Sequence, residues 1–274
     1  MARYGLLIDL ELCTGCKACM TVCKGNHNIP YGEYKGREYY RLWPEEKEVG
    51  SYPHVIRNLT PWLCMQCAAP PCVETCPISG ALRQRDDGII VVDESLCDGC
   101  RQCLTACPYE ALYFRQDKGV VDKCNLCVEN INEGAIPECV KACPTDAIVF
   151  GDIGNPKSQL SRLILEKQAR PLHPEYNTRP AVFYTSHASR LRGSVINAAS
   201  GQAITRADIT LENEEASPVL LRTDVNGIFF AWSLRNGTRY RIKVAATGFH
   251  SYFNEITVAG DYQDLGILEL NRKS

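Results

Sequence analysis

The sequence predicts an α+β chain in two parts, a cysteine-rich part built from repeated strand–loop–helix units and an all-β sandwich that follows it. Two observations predict this division. All 16 cysteines among the 274 residues fall between Cys13 and Cys143, and the rest of the chain has none. Beyond residue 190, short segments of alternating apolar and polar residues recur between turn residues. We expect domains at 1–150 and 191–274, joined over 151–190 by a linker that contains one helix.

Composition and charge exclude several classes of protein. A formal net charge of −2 argues against a nucleic-acid-binding protein. With 45% hydrophobic and 23% charged residues, the composition is neither that of a disordered chain nor that of a coiled coil. No run of about 18 apolar residues is present, so we expect no transmembrane segment. The N-terminal apolar stretch is too short for a secretory signal, which leaves the compartment open between the cytoplasm and co-export with a partner.

The cysteines form four groups of four, and none is left over. The first and third groups have the spacing C-x2-C-x2-C-x3-C, the second C-x2-C-x4-C-x3-C, and the fourth C-x2-C-x11-C-x3-C. In chain order the groups are Cys13, Cys16, Cys19 and Cys23; Cys64, Cys67, Cys72 and Cys76; Cys97, Cys100, Cys103 and Cys107; and Cys124, Cys127, Cys139 and Cys143.

Three kinds of chemistry compete for cysteines at these spacings. Repeated CxxCxxC runs make a poor disulfide framework, because paired Cα atoms must lie about 4.4–6.8 Å apart with suitable directions. Zinc sites commonly use two CxxC pairs with a longer spacer, which fits the second and fourth groups and not the first and third. A 4Fe–4S cluster needs four thiolates around a cage, and C-x2-C-x2-C places three of them around it. The spacing therefore favours iron–sulfur clusters as the cofactors.

The residues around the cysteines form an internal repeat. Pro77, Pro108 and Pro144 each follow the last cysteine of a group and end the short helix that carries it. Alternating strands precede three of the groups, and the turn residues at 86–88 and 117–119 predict hairpins before the third and fourth groups. Two units of strand, cluster loop, short helix and strand make a two-cluster ferredoxin-like module, and this chain contains two such pairs.

Over residues 1–150, the motifs resemble the four-cluster electron-transfer subunits of dimethyl sulfoxide reductase-family molybdopterin oxidoreductases. The likeness lies in C-T-G-C-K-A-C at 13–19, the P-P-C-V-x-x-C-P run ending at 77, C-D-G-C-R-Q-C at 97–103 and the wide fourth group. The resemblance implies that the first group pairs with the fourth and the second with the third, with the last cysteine of each group exchanged. The implied ligand sets are Cys13, Cys16, Cys19 and Cys143; Cys23, Cys124, Cys127 and Cys139; Cys64, Cys67, Cys72 and Cys107; and Cys76, Cys97, Cys100 and Cys103.

Four fully ligated clusters predict electron conduction and no catalytic residue in this chain. Each cluster lacks an open coordination position, so its chemistry is the transfer of single electrons. No G-x-G-x-x-G or P-loop motif is present, and the five histidines form no metal triad. We expect a holo-protein charge of about −10, since each oxidised cluster with four thiolates carries about −2. Cations beside the ligands either raise cluster potentials or are ordinary surface charges; they are Lys17, Lys24, Arg101, Lys123 and Lys141.

Two further features of this part leave alternatives open. His27 follows Cys23 closely and either hydrogen-bonds near a cluster or has an ordinary packing role. The insertion 24–63 is rich in tyrosine, tryptophan and arginine, the residue types enriched at protein interfaces. Its aromatic residues serve either partner docking or packing over the clusters. Base stacking on RNA is disfavoured by the net negative charge.

The C-terminal part predicts one helix and then a sandwich. A helix over Ser158–Ala169 is closed by Pro171 and Pro174, and the following stretch up to Tyr184 is predicted to be extended. About seven strands at spacings of 8–12 residues then predict an immunoglobulin-like sandwich over 191–274. Its T-D-x-N-G-x-F and Y-x-I-K-V-x-A-x-G-F motifs resemble the transthyretin-like, carboxypeptidase-regulatory family, whose sandwiches commonly serve as docking or spacer modules.

The combination of both parts resembles the small subunits of pyrogallol–phloroglucinol transhydroxylase and related resorcinol hydroxylases. The resemblance implies a heterodimer with a large catalytic subunit that holds a molybdenum or tungsten bis-pterin, while this chain holds four 4Fe–4S clusters. It also implies that the Cys13 set faces that subunit and the Cys97 set faces an external electron carrier or a membrane-anchor subunit. The first expectation for the reaction of the complex is hydroxylation or transhydroxylation of a phenolic substrate. The second expectation is reduction of arsenate or a sulfur compound. The alternatives are a polyferredoxin adaptor of a hydrogenase or formate-linked complex, or a metal-bound structural module without redox duty.

Overall fold

The computed structural model of the chain describes residues 2–52, 54–214 and 216–273, apart from the side chains of residues 51, 54 and 233. The strands are Tyr4–Ile8 (β1), Glu33–Tyr34 (β2), Arg37–Glu38 (β3), Leu42–Ser51 (β4), His54–Leu63 (β5), Leu82–Gln84 (β6), Ile90–Val92 (β7), Tyr113–Arg115 (β8), Val120–Asp122 (β9), Ile148–Asp152 (β10), Val182–Tyr184 (β11), Ser189–Asn197 (β12), Asp208–Glu212 (β13), Val219–Arg222 (β14), Ile228–Leu234 (β15), Arg239–Ala245 (β16), Tyr252–Thr257 (β17) and Tyr262–Leu270 (β18). The α-helices are Ala18–Asn26 (α1), Pro71–Glu74 (α2), Gln102–Ala106 (α3), Val128–Asn132 (α4), Glu138–Lys141 (α5) and Gln159–Glu166 (α6), and Pro174–Tyr176 is a 3-10 helix.

The described chain divides into two compact units. One comprises 1–47 and 57–185, and the other comprises 48–56 and 186–274. The first unit contains all the cysteines and all six α-helices, and the second contains β12 to β18. None of the described helices is long and apolar enough to cross a membrane.

A three-stranded sheet forms the centre of the first unit. Strand β1 lies between β10 and β11, antiparallel to β10 and parallel to β11. Its residues Leu6, Leu7 and Ile8 are fully buried, because apolar side chains pack on both faces of the sheet. One face belongs to the same apolar cluster as Cys64, Cys67, Cys124 and Cys139, so the sheet supports the cysteine loops directly.

The predicted hairpins are present. Strands β6 and β7 pair around Asp87 and Gly88, and β8 and β9 pair around Lys118 and Gly119. Gly88 and Gly119 have φ values of 82° and 72°, a backbone conformation that glycine adopts at little cost. The insertion 24–63 forms two further two-stranded sheets, β2–β3 and β4–β5.

Helix α6 is shorter than the sequence predicted. Ser158 caps its N-terminus and accepts a hydrogen bond from the backbone N–H of Ser161 at 3.0 Å. The predicted end at Ala169 was wrong by three residues, because the helix ends at Glu166 and Gln168 adopts a left-handed conformation with φ 51°. The extended stretch before Tyr184 is interrupted by the 3-10 helix and ends in β11.

The second unit is a β-sandwich. Sheet β15-β12-β18 and sheet β14-β13-β16-β17 contribute to one apolar cluster, in which Leu191, Phe229 and Leu268 of the first sheet meet Leu211 and Ile242 of the second. These strands account for the seven segments predicted from their alternation. Strand β16 shows why the prediction succeeded, since its burial alternates residue by residue along the strand.

Candidate iron–sulfur sites

The folded chain brings its thiols together in four sets. Set 1 lines one cavity and set 4 lines another. The other eight cysteines are divided into sets 2 and 3 as the family resemblance implies, because Cys64 and Cys124, which belong to different sets, also lie near each other. All sixteen cysteines are free of disulfides. Set 1 is Cys13, Cys16, Cys19 and Cys143; set 2 is Cys23, Cys124, Cys127 and Cys139; set 3 is Cys64, Cys67, Cys72 and Cys107; and set 4 is Cys76, Cys97, Cys100 and Cys103.

Helix α1 shows how one group serves two sets. Cys19 and Cys23 lie one turn apart on the same face of α1, so each reaches a different, neighbouring set. Cys139 and Cys143 have the same separation at α5, which packs against α1. This helix contact brings the first group beside the fourth, and α2 and α3 make the corresponding contact for the second and third groups.

The four sets follow one another in space. The thiols of Cys19 in set 1 and Cys139 in set 2 lie close enough to act on each other's charge. Cys64 of set 3 acts in the same way on Cys124 of set 2. Sets 3 and 4 share one apolar cluster in which Cys72 and Cys103 are both buried. The order is therefore set 1, set 2, set 3, set 4.

Exposure differs between the ends of this series and its middle. The four cysteines of set 2 are buried, as are three of set 3. The two exposed cysteines are Cys16 in set 1 and Cys100 in set 4. Solvent therefore reaches sulfur most readily at the two ends.

The CxxC loops share one backbone conformation. The residue before the second cysteine has a positive φ in all four groups, at Gly15, Gln66, Gly99 and Leu126. A Cβ atom at Gly99 would lie 2.3 Å from the carbonyl oxygen of Gly119, so this loop also needs glycine for space. At Leu126 the turn directs the backbone N–H toward the Cys124 Sγ, 3.4 Å away. A left-handed residue is thus tolerated where it directs a donor toward sulfur.

The C-P-x-x-A turns also direct backbone donors at sulfur. The N–H of Ala111 donates to the Cys107 Sγ at 3.5 Å, and the N–H of Ala147 donates to the Cys143 Sγ at 3.2 Å. Cys107 is extended, with φ −81° and ψ 111°, as expected of a residue that precedes proline. Hydrogen bonds to thiolate sulfur stabilise its negative charge, so these turns suit a sulfur that binds a metal.

Burial opposes ionisation of the free thiols. It raises the pKa of Cys19 to about 11 and those of Cys67, Cys103 and Cys124 to about 12, with neighbouring thiols adding to the effect. Such thiols become thiolates when a metal replaces the proton. Among the described residues, no three His, Cys, Asp or Glu side chains converge on a single metal ion. Four thiols that line a common cavity fit a cage with several irons, because each sulfur then binds a different one.

The cations near the sulfur sets differ in their surroundings. Lys17 pairs with Glu46 at 2.9 Å and Lys141 with Glu138 at 2.8 Å, and both lysines are more than 40% exposed. Lys24 lies over the rings of Tyr31 and Tyr40.

Two more of these cations lie closer to apolar surroundings. The Arg101 guanidinium lies 4.7 Å from the ring centroid of Phe114 and donates to the Tyr34 hydroxyl at 3.0 Å. Lys123 is 2% exposed. The side chains beside the clusters thus include one fully buried ammonium group.

A buried polar network beside set 2 was not predicted. The Asp122 carboxylate pairs with Arg41 Nε at 2.9 Å and accepts a hydrogen bond from the Tyr113 hydroxyl at 2.6 Å. Burial raises the pKa of Cys23, and Arg41 opposes this increase. His27 Nε2 lies 3.4 Å from the Cys127 Sγ, which is the placement near a cluster that the sequence left open. The motif GVVDKC contains Asp122, but nothing in it shows that Arg41 lies opposite.

Some aromatic residues of the insertion 24–63 are packed in the first unit, and others are exposed. Tyr39 is buried, and Trp43 and Trp62 pack on the apolar cluster of the first unit. Tyr31 and Tyr52 are 94% and 92% exposed. Packing over the cysteine loops is therefore one role of its aromatic residues, and the exposed tyrosines leave room for a partner.

Comparison with protein families identifies two 4Fe–4S dicluster domains. One family matches residues 5–77 and the other residues 55–153. Each dicluster domain holds two clusters, so together they account for all four cysteine groups.

Several similar proteins are subunits of oxidoreductases. A putative iron–sulfur subunit of dimethyl sulfoxide reductase from Halobacterium salinarum is 35% identical over 67% of this chain and 79% of its own length. A subunit of the tetrathionate reductase of Salmonella typhimurium is 37% identical, over 66% of this chain and 72% of its own. A subunit of the sulfite dehydrogenase of Allochromatium vinosum is 35% identical, over 67% of this chain and 83% of its own.

The similarity to solved structures is much lower. The major pilin BcpA of Bacillus cereus is 14% identical over 34% of this chain and 32% of its own, with a TM-score of 0.27, and bears on neither fold nor function. The dicluster domains and the curated relatives agree with the cysteine motifs. The chain therefore belongs to the family of 4Fe–4S dicluster iron–sulfur subunits of molybdopterin oxidoreductases, and it carries four 4Fe–4S clusters.

Proposed function

We propose that this chain conducts single electrons between a separate catalytic subunit and an external electron carrier. The observation that carries the proposal is the linear order of the four sulfur sets, with exposed cysteines only in the two end sets. A 4Fe–4S cluster bound by four cysteines takes up and releases one electron at a time. The chain supplies the spacing between clusters and the exposed ends at which electrons enter and leave.

We assign the four sets as the ligands of the four clusters. The donor N–H groups at Leu126, Ala111 and Ala147 support this assignment, since they hold sulfur as thiolate. The paired hairpins and short helices support a duplicated ferredoxin-like module over 1–150, and the second unit supports a transthyretin-like sandwich over 191–274. Of the linker expected over 151–190, helix α6 and strand β11 belong to the first unit, where α6 packs on β1 and β10.

The catalytic partner is proposed to be a large subunit that holds a molybdenum or tungsten bis-pterin. The family resemblance supports set 1 as the end that faces this subunit and set 4 as the end that faces a carrier or a membrane-anchor subunit. Electrons then travel through sets 2 and 3, whose buried sulfurs keep water away from the inner clusters.

Reduction or oxidation of a sulfur compound is the better supported substrate class. The relatives above are named for dimethyl sulfoxide, tetrathionate and sulfite, and none is named for a phenol. Hydroxylation or transhydroxylation of a phenol, the first expectation from the sequence, depends on the resemblance of the combined iron–sulfur and sandwich parts to the transhydroxylase small subunits. None of these three relatives is named for arsenate or for a hydrogenase.

Freeze-quench electron paramagnetic resonance (EPR) of the purified complex tests the proposal. The dithionite-reduced complex is mixed with tetrathionate or dimethyl sulfoxide, and the oxidised complex is mixed with sulfite or resorcinol. We expect reoxidation of the clusters by a sulfur oxidant, or their reduction by sulfite. Cluster reduction by resorcinol would instead establish the phenolic reaction. A complex that contains a hydrogenase subunit, no pterin, and clusters reduced by hydrogen would refute the proposal.

A further inference from the structure

Lys123 occupies an unusual position for a lysine. It follows β9, directly before the set 2 ligand Cys124, and only 2% of the residue is exposed. Lysine is rarely buried to this extent unless its charge is compensated. What compensates this charge is therefore informative.

Hydrogen bonds hold the Lys123 ammonium group in place. Its Nζ donates to the carbonyl oxygens of Ile90 and Cys124, the second at 3.0 Å. The amide of Gln66 bridges the same two segments, since it donates to the Cys124 carbonyl at 2.9 Å and accepts from the Ile90 N–H at 2.8 Å. The position of the ammonium group is fixed by strand β7 on one side and the set 2 loop on the other.

The Lys123 ammonium group lies beside the loops of two different sets. The Cys124 carbonyl that accepts from its Nζ also accepts from the Gln66 amide, and Gln66 directly precedes the set 3 ligand Cys67. Among the described residues, no carboxylate lies within salt-bridge distance of its Nζ, whereas Lys17 and Lys141 each pair with a glutamate. No carboxylate therefore cancels the charge of Lys123, and the negative charge of clusters bound at sets 2 and 3 would compensate it.

Arg41 provides a contrast within the same region. Its guanidinium lies beside set 2 but pairs directly with the Asp122 carboxylate at 2.9 Å. The two charges of that ion pair largely cancel at a distance. Of these two cations, Lys123 is thus the one whose full charge acts on both set 2 and set 3.

A shared buried cation has a definite electrostatic consequence. A reduced 4Fe–4S cluster carries one more negative charge than the oxidised cluster, so a nearby cation stabilises the reduced form and raises the reduction potential. The interaction is strong in a buried region, because the effective dielectric constant is far below that of water. The effect applies to both neighbouring clusters at once.

The geometry points to Lys123 as a positioning residue that raises the reduction potentials of the two inner clusters together and so keeps electron transfer between them favourable. This inference rests on the proposed electron-transfer function and adds the residue that tunes its central step. The carbonyl oxygens of Ile90 and Cys124 accept from the ammonium group, and Gln66 links the two segments that carry them. Together they form a polar cage that keeps the cation between the two sets.

The test is an EPR-monitored redox titration of the whole complex. Lys123→Met keeps the length of the side chain and removes its charge, and Lys123→Gln removes the charge while keeping a donor. Gln66→Met is the matched control, because it breaks the same bridge between Ile90 and Cys124 without changing any charge. Lys141→Met removes an exposed lysine that already pairs with Glu138.

We expect both Lys123 variants to shift two of the four midpoint potentials in the negative direction. The expected size is at least a tenfold change in the ratio of oxidised to reduced cluster at a fixed potential, which corresponds to about 59 mV for one electron. The other two midpoints, and all four in Lys141→Met, should move much less, and Gln66→Met, which keeps the charge of Lys123, should not reproduce the paired shift. At least one Lys123 variant should show these shifts while it retains the full iron content of the wild type.

Other results would overturn the inference. If Lys123→Gln retains its iron and all four midpoints stay at the wild-type values, Lys123 does not tune the clusters. If Gln66→Met reproduces the shifts, the polar bridge and not the charge is responsible. If every Lys123 variant loses iron while Gln66→Met keeps it, the role of Lys123 is assembly. In none of these cases does the wild-type complex lose its four clusters, so the proposed electron-transfer function is tested separately by the wild-type iron content and freeze-quench signals.

Discussion

His27 Nε2 lies 3.4 Å from the Sγ of Cys127, although 100 positions separate the two residues in the chain. The contact arises because His27 caps the C-terminus of α1, the helix that sends Cys23 into set 2. Burial lowers the pKa of His27, and Arg41 adds to this effect. A neutral imidazole offers one N–H that can donate to the sulfur.

We expect His27→Phe to lower the potential of one cluster. A hydrogen bond to ligand sulfur stabilises the additional electron, and phenylalanine keeps the ring volume without the donor. One midpoint in a redox titration should shift in the negative direction while three stay fixed. His250→Phe, at an exposed site in the second unit, is the control. Equal midpoints in His27→Phe and wild type would show that the sulfur receives no hydrogen bond.

Serine substitutions test how the groups are paired. We expect Cys143→Ser to alter the same EPR signal as Cys13→Ser, because both cysteines line the same cavity. Cys23→Ser should alter the signal that Cys139→Ser alters. If Cys23→Ser instead affects the Cys13 signal, each group holds its own cluster and the exchanged pairing is wrong.

The ion pair between Lys167 and Asp9 should stabilise the loop that carries Cys13. The two charged groups lie 2.8 Å apart, and the Asp9 side chain is 2% exposed. Lys167→Met leaves that buried carboxylate without its cation, so we expect the free energy of unfolding to fall by about 2 kcal/mol. Lys118→Met breaks the exposed pair with Glu94 and should cost no more than about 1 kcal/mol. Thermal unfolding of the holo-protein measures the stability lost in both variants. Equal losses would show that the buried ion pair stabilises the protein no more than the exposed one.

The same ion pair predicts a pH dependence of stability. The hydrogen bond with Asp9 raises the pKa of Lys167, with the charges of nearby carboxylates adding to it. For a base with a raised pKa, the stabilisation is complete below the unfolded value, about 10.4, and is lost as pH rises through the folded value. The difference in stability between wild type and Lys167→Met should be constant near pH 8 and shrink above about pH 10.5. A difference that shrinks on acidification within the neutral range would contradict this account.

Removal of iron should affect the two units differently. Cys64, Cys67, Cys124 and Cys139 belong to the apolar core of the first unit, so loss of the clusters leaves buried thiols and empty space there. The core of the sandwich contains no cysteine. In hydrogen exchange of the full chain after iron chelation, we expect β8 and β9 to lose protection and β12 and β16 to keep it. Uniform loss over both units would show that the sandwich depends on the clusters.

The sequence predicted the hairpins, the seven sandwich strands and the four-cluster chemistry because each depends on local patterns. Alternation along β16 and glycine at the two hairpin turns are visible in the chain itself. The left-handed conformation of Gln66 and Leu126 was not predictable from residue type, since neither is glycine. The repeat of the CxxC spacing was the signal that could have revealed it.

Long-range polar contacts could not be predicted. The pairing of Arg41 with Asp122 and the cage around Lys123 join segments far apart in the chain, and no local pattern encodes them. The end of α6 was wrong because Gln168 leaves the helical conformation without a glycine or proline to mark it. Tertiary contacts override local preferences at such positions, and these contacts depend on the whole fold.

A redox titration of the intact complex, with iron and acid-labile sulfide measured on the same sample, tests the central claim most directly. We expect about sixteen iron and about sixteen sulfide atoms per chain and four separate one-electron steps. We also expect all four steps to respond when the substrate of the catalytic subunit is added. Zinc or disulfides in place of iron, fewer than four steps, or clusters that never exchange electrons with the catalytic subunit would contradict it.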